Sequence, residues 1–230
     1  MTVAELIGPQ LPVTLTLTIM AFALILIISF PLGLFTARHE GGILDRILTV
    51  VNQIAMSVPP FLLGILLTYV FGLILRLFTP GNYISYRESV SGFLGYMIFP
   101  AVAVAVPKIA MTVKLLRGSL LSELHSDYVR TAYSKGNTKK SVLYRHVLRN
   151  ALIPVLTFLA MTIADIVAGS IIIEQVFAVP GMGRMLLQSI SARDYPVVQA
   201  IIVIIAFVVV LANFAADLIY QVVDPRIELR

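Results

Sequence analysis

Residues 12–36 read PVTLTLTIMAFALILIISFPLGLFT, an apolar run without a single Asp, Glu, Lys, Arg or His. About 20 predominantly apolar residues suffice to carry a helix across a bilayer, so this stretch reads as a membrane span. It does not fit a cleaved secretory signal, because no basic residue precedes it and it outlasts a signal's apolar core. Working outward, the same test finds four more runs, over residues 47–78, 96–116, 151–176 and 196–222. The expected fold class is all-α, a polytopic membrane helix bundle of about five spans. The second run is over-long and carries Pro59-Pro60 in its middle. Proline lacks the amide donor and clashes with the preceding turn, which predicts a kink or break there. Pro107 predicts a similar bend in the third span. Lipid tolerates such breaks only where other helices or a cavity satisfy the freed carbonyls.

Composition agrees. Of 230 residues, 59% are apolar and 13% charged, and the mean hydropathy is +0.95. Soluble domains lie nearer 45–50% and about 25%. Five spans leave no room for a large extramembrane catalytic domain. The absence of cysteine excludes disulfide frameworks, thiolate metal sites, iron–sulfur clusters and a cysteine nucleophile.

Basic residues set the orientation. Segment 37–46 holds Arg38 and Arg46. Segment 117–150 holds Arg117, Arg130, Lys135, Lys139, Lys140, Arg145 and Arg149, and the tail holds Arg226 and Arg230. The opposite segments hold only Arg87, Arg184 and Arg193. By the positive-inside rule the first group faces the cytoplasm, placing the amino terminus outside and the carboxyl terminus inside. Glu123 and Asp127 reduce the seven basic residues of segment 117–150 to +5, equal to the formal net charge of the whole chain. The remaining segments together sum to zero, and the spans with their edges balance as a group.

That loop carries helical signals. Ser126 or Asp127 can cap a helix running to Lys135, and Gly136 stands where a left-handed C-terminal residue belongs. Asn137 and Thr138 can cap a second helix over residues 139–150 that leads into the fourth span. Two short helices meeting at a glycine make an elbow projecting from the membrane. Composition alone also fits an anchor to anionic lipid.

Residue order is more specific. DYVRTAYSKG (127–136) followed by VLYRHVLRNALIP (142–154) resembles the cytoplasmic "EAA" loop of ABC-importer permeases, in particular the peptide/nickel branch. That branch reads D-Y-V-R-T-A-x-x-K-G and then H-x-L-R-N-A-L-x-P. The general motif has Glu-Ala-Ala where this chain has Arg130-Thr131-Ala132, and its final Leu-Pro is Leu148-Arg149 here. Both departures are usual for the peptide branch. KLLRGSLL (114–121), EQVFAVPGMGR (174–184) with RDYPVVQ (193–199), and DPR (224–226) are similar to further family motifs in the same order. The resemblance covers roughly residues 9–226, a single transmembrane permease domain over 1–230 with its coupling loop at about 117–150. Family members usually begin with one more span and a sizeable outer segment before residue 12. Here Met1 stands just before that point, so five spans with an external amino terminus are expected.

The resemblance implies a multi-pass protein of the cell (inner) membrane, contributing half of a translocation pathway and no catalysis. Its implied partners are a second permease subunit, two cytoplasmic ATPase subunits that bind ATP and Mg, an extracytoplasmic substrate-binding protein and membrane lipid. The implied cargo is peptides, nickel chelates or related small solutes. In the family the first elbow helix docks into a groove on the ATPase. This assigns ATPase coupling to Asp127, Tyr128, Arg130, Thr131, Ala132, Lys135, Gly136 and His146. Ala132 is small enough for close helix approach, and basic side chains can meet acidic positions on a partner.

Other signals are weaker. The chain has no G-x-x-x-x-G-K-[ST] phosphate loop, so nucleotide chemistry belongs to other subunits. His39, His125 and His146 are scattered, and no metal, catalytic constellation or nucleic-acid partner is expected. Asp165 and Lys108 lie within spans, where ionisable groups face a cavity or a partner. They read either as polar contacts in the translocation path or as a mutual ion pair or helix contact. Glu174 matches the family's acidic residue near the outer end of the fourth span and is expected to anchor the following loop. Pro180, Gly181 and Gly183 form either a re-entrant outer gate or a plain turn. Asn213 and Asp217 read as helix contacts in the fifth span. Without tryptophan, Tyr69, Tyr83, Tyr86, Tyr96, Tyr195 and Tyr220 must supply any interfacial belt. The alternative class is an ion-coupled secondary transporter acting without an ATPase. It predicts an inverted internal repeat, and no convincing self-similarity is visible.

Overall fold

The structure, a computed structural model, describes residues 2–223. The DPR motif at 224–226, Arg230 and the side chains of Asp217 and Tyr220 lie outside the described residues. Ten α-helices follow in order: α1 Val3–Ile7, α2 Leu11–Arg38, α3 Ile43–Ser57, α4 Pro60–Leu67, α5 Val90–Leu124, α6 Asp127–Ser134, α7 Lys139–Ser141, α8 Leu148–Val176, α9 Met182–Ser191 and α10 Tyr195–Val223. A π-helical stretch, Thr68–Ile74, extends α4, and another, Val142–Val147, joins α7 to α8. Four helical segments are long and apolar enough to cross a membrane, and α3 with α4 adds a fifth if the bent pair is one span. The expected count and class are thereby met.

Local chemistry explains several ends. Thr2 and Glu5 form a reciprocal capping box on α1. The Ser89 hydroxyl accepts from the Gly92 amide at 3.1 Å at the start of α5, and Thr138 does the same for Ser141 at 3.3 Å. Inside α2, Thr18 and Thr36 donate back to the carbonyls of Thr14 and Leu32 at 2.9 Å each. The hydroxyls are thus satisfied without water.

The two proline sites differ in whether the helix continues through them. At Pro59-Pro60 the chain turns through 99°. A proline bars its predecessor from the helical region, so Val58 and Pro59 are both extended, with ψ of 120° and 141°. Two consecutive non-helical residues make a corner. Pro107, by contrast, does not interrupt α5, and neither does Pro100. Each removes one hydrogen bond, and α5 is held as the central helix by packing on α2, α3, α4 and α8. Ala101, Ala103 and Ala105, buried on opposite sides of the helix, admit those neighbours closely. Between α2 and α5 the approach is tight: a Cβ on Gly33 would lie 2.7 Å from Leu116 Cδ2.

The main core runs along α2, α5 and α8 and continues into the elbow through Val129, Ala132, Val142 and Val147. A second, smaller core joins Ile7, Met182, Leu186, Val197 and Ile201, seating α9 and α10 on α1. The tyrosine belt is corrected in part. Tyr69 and Tyr195 are exposed, but Tyr96 is buried, and Tyr83 and Tyr86 pack edge-on against Phe93. The Tyr96 hydroxyl donates to the Phe177 carbonyl at 2.5 Å and accepts from the Gly81 amide at 3.2 Å. A buried phenol needs such partners, and this one staples the outer loop to the end of α8.

Candidate functional site

The elbow forms because its two arms share apolar residues. On α6, Val129 and Ala132 point inward and pack in one cluster with Val142, Leu143 and Val147. Asp127, Arg130, Thr131 and Lys135 are exposed, Tyr128 and Tyr133 partly so, and His146 is half-buried. Seven of the eight residues singled out from the motif therefore have exposed or half-exposed side chains or backbone. Ala132 is different: its close approach is to the chain's own second arm. Its carbonyl accepts from Asn137 Nδ2 at 3.0 Å.

Gly136 has φ of +82°, and its amide donates to the Tyr133 carbonyl at 2.9 Å. Nothing lies within 4 Å of where its Cβ would be. The glycine is required by the backbone and not by space. Above the elbow, the Tyr128 hydroxyl donates to Glu123 Oε2 at 2.5 Å. Burial, and then that hydrogen bond to Glu123, push the Tyr128 phenol above its ordinary value. It thus remains a donor throughout the neutral range. On the far arm, the Arg38 guanidinium at the end of α2 lies 5.1 Å from the Tyr144 ring centre.

Sequence reasoning missed the strongest tie near the elbow. Arg117 Nε and Nη2 donate to Asp45 Oδ1 and Oδ2 at 2.8 Å each, a bidentate pair. The Gly41 amide adds a third bond to Asp45 Oδ2 at 3.0 Å. Asp45 is buried. The available signal was charge balance: segment 37–46 is neutral beside a basic stretch that begins at Arg117.

At mid-span, Lys108 Nζ meets Asp165 Oδ2 at 2.6 Å, with side-chain exposures of 21% and 60%. A charge facing lipid at the bilayer centre costs ~2.5–3.5 kcal/mol on insertion scales, which argues that this face meets a polar space or a protein. Below it a cavity of about 690 Å³ lies between α3, α5 and α8, lined by Met56, Met111, Lys114, Gly118, Asn150 and Phe158 among others. Ser122 and Glu123 carry its wall to the elbow.

At the opposite end, Glu174 is fully buried. Thr14 Oγ1 donates to Glu174 Oε1 at 2.7 Å, and the Arg184 amide donates to Oε2 at 3.0 Å. The Met182 amide donates to Thr14 Oγ1 at 2.9 Å. The carboxyl group thus sits at the N-terminus of α9, where free backbone amides need acceptors. Gly181 and Gly183 give it room, since a Cβ on Gly181 would lie 2.3 Å from Glu174 Cδ. Pro180 and Gly181 turn the chain into α9. Among the described residues no three His, Cys, Asp or Glu side chains come together as a metal site.

Comparison with known proteins gives a family match, three relatives and a structural neighbour. Residues 29–229 match the family described as "Binding-protein-dependent transport system inner membrane component". The chain is 37% identical over 228 residues to an oligopeptide transport system permease protein of Bacillus subtilis, covering 98% of this chain and 72% of that one. It is 35% identical over 227 residues to a dipeptide transport system permease protein of the same organism, covering 99% and 71%. A probable peptide ABC transporter permease of Sinorhizobium fredii is 36% identical over 225 residues, covering 98% and 72%. Among solved structures, an inward-facing MetNI methionine ABC transporter chain superposes with a TM-score of 0.74 at 21% identity, covering 96% of this chain and 97% of that one. That likeness is one of fold.

Proposed function

The chain belongs to the family of binding-protein-dependent transport system inner membrane components, and from that premise we propose that it carries short peptides across the membrane while separate ATPase subunits grip its elbow. It is a multi-pass membrane protein and the permease subunit of an ATP-driven importer. Membership in this family sets aside the ion-coupled transporter acting alone. Peptides are favoured as cargo because relatives named for oligopeptide and dipeptide transport align along almost the whole chain. Nickel chelates are the competing cargo. A second permease, two ATPases that hold ATP and Mg, and an extracytoplasmic binding protein in the cell inner membrane complete the proposed machine.

The observation that carries the coupling reading is the elbow. It presents exposed Asp127, Arg130, Thr131 and Lys135 on one short helix while its apolar face is tied into the core of the bundle. Movement of that helix by an ATPase would reach the spans through packed side chains. Differential contacts in two states then link nucleotide chemistry to the opening of the pathway.

Gly136 tests this cleanly. A side chain there meets no neighbour, so substitution acts only through backbone strain at positive φ, ~1–2 kcal/mol for ordinary residues. Gly136→Val is expected to abolish peptide uptake and transport-coupled ATPase activity at normal membrane abundance. Gly136→Asn, which tolerates the left-handed region, is expected to retain most uptake. Normal uptake by the valine variant would sink the coupling reading. Uptake of a nickel chelate but no peptide would replace the cargo and leave the coupling intact.

A further inference from the structure

We propose that the Lys108–Asp165 pair is a peptide-recognition site in the translocation path, with Asp165 receiving the substrate's ammonium group and Lys108 holding that side chain in place while the path is empty. The inference rests on the permease reading above and adds a specific site to it.

Position comes first. Lys108 lies near the middle of α5 and Asp165 near the middle of α8, the depth farthest from water at either surface. The pair joins the two helices at 2.6 Å through one oxygen only, Asp165 Oδ2. Oδ1 has no hydrogen bond among the described residues, and a carboxylate accepts at both oxygens. The two side chains are unequally placed, with Lys108 mostly covered and Asp165 60% exposed. A purely structural pair has no need to offer its carboxylate to the open side.

Continuity comes second. On α5, Met111, Lys114, Gly118 and Ser122 recur at helical spacing and are exposed. They line the cavity that begins beside the elbow. Lys108 lies about one turn beyond Met111 on that helix. On α8 the cavity is lined by Asn150, Pro154 and Phe158, and the exposed stripe continues through Met161 to Asp165. Asp165 lies about two turns beyond Phe158. The pair therefore lies one to two helical turns beyond the inner end of a partly polar cleft that leads from the cytoplasmic side.

Chemistry comes third. A short peptide at neutral pH is a zwitterion, and a low-dielectric path must replace the water lost by its amino terminus. A preformed carboxylate with a free acceptor oxygen does this without bringing a new charge into the membrane. The neighbouring lysine ammonium is an exchange partner that returns when the substrate leaves.

The test uses the assembled transporter, with permease pair, ATPases and binding protein, in proteoliposomes, and a dipeptide with free termini as the probe. Membrane abundance and unstimulated ATPase activity are measured alongside uptake. Asp165→Asn, nearly isosteric, is expected to lower the maximal uptake rate at least tenfold with unstimulated ATPase activity unchanged. Lys108→Gln, which leaves the carboxylate, is expected to lower it no more than threefold. Lys108→Asp combined with Asp165→Lys restores an ion pair and is expected not to restore uptake. Three results would overturn the proposal: normal uptake by Asp165→Asn, equal losses in the two single variants, or rescue by the exchanged pair. Equal loss with rescue identifies a structural bridge, either within the chain or toward the second permease. Failure of the unaltered transporter to carry any peptide would refute the cargo reading itself, a result separate from all three.

Discussion

At the scale of single residues, two kinds of glycine do different work. Gly136 is needed for its φ of +82°, in open space. Gly181 has extended backbone, with φ of −101° and ψ of 179°, and is needed because the Glu174 carboxylate occupies the place of its side chain. Alanine there would put Cβ 2.4 and 2.5 Å from the two carboxylate oxygens. The carboxylate cannot retreat, because Thr14 and the Arg184 amide hold its two oxygens in a buried setting. Overpacking typically costs ~1–3 kcal/mol, and leaving a buried hydrogen-bonding group without its partner adds ~1–3 kcal/mol. Gly181→Ala is therefore expected to lower the apparent melting temperature of the detergent-solubilised protein by many degrees. Gly95→Ala, where nothing lies within 4 Å, is expected to leave it unchanged. Equal behaviour of the two would refute the packing account. Gly136 was legible in the sequence because a helix cap is a local event. The demand on Gly181 was not, because it depends on Thr14, 160 residues away from Glu174.

At the scale of elements, the elbow is fastened to the spans at three places of different chemistry. The inner apolar face packs on Val142 and Val147, Arg38 covers Tyr144, and Tyr128 bonds to Glu123 at the end of α5. Of these, the phenol is the directional link between α6 and the cavity wall, because Glu123 lines that cavity. Hydrogen bonds to charged groups are worth ~1.5–3 kcal/mol when sheltered, and partial exposure of Tyr128 reduces this to about 1 kcal/mol. Tyr128→Phe keeps the ring and removes only the donor. It is expected to lower peptide transported per ATP hydrolysed about three- to fivefold, with total ATPase activity little changed. An unchanged ratio would show that the apolar contacts alone transmit the motion. The extent of α6 and the positions of the five apolar runs were readable because helix periods, caps and prolines act over a few residues. The break at Pro59-Pro60 followed from backbone sterics for the same reason. The continuity of α5 through Pro107 was not readable, because it depends on neighbours: α5 is enclosed by α2, α3, α4 and α8, and that enclosure is not a local property. The Asp45–Arg117 bridge spans 72 residues and left only a trace in the loop charges.

At the scale of the whole molecule, charge and hydropathy together assign each part of the chain a side of the membrane, and the fold must agree with that assignment. It does so in one respect that the charges alone could not supply. The elbow, the Asp45–Arg117 bridge and the mouth of the large cavity gather at the end of α5 near Leu124. The Glu174 network, α9 and the Tyr96 staple gather at the other end of the bundle, where α8 finishes at Val176. Positive-inside asymmetry places the first group in the cytoplasm. The absence of cysteine makes this directly measurable, because a single introduced thiol is the only one in the chain. Glu40 and Ser134 are exposed at the elbow end, and Ser191 is exposed at the end of α9. A membrane-impermeant maleimide is expected to label Ser191→Cys in intact cells and to label Glu40→Cys only after permeabilisation. The reverse pattern would invert the topology and remove the elbow from any cytoplasmic ATPase. Ser134→Cys separates orientation from docking: with the ATPase subunits absent it is expected to label like Glu40→Cys, and in the assembled complex its labelling is expected to fall several-fold. Full labelling of Ser134→Cys in an active complex would keep the orientation and require a different surface to receive the ATPase.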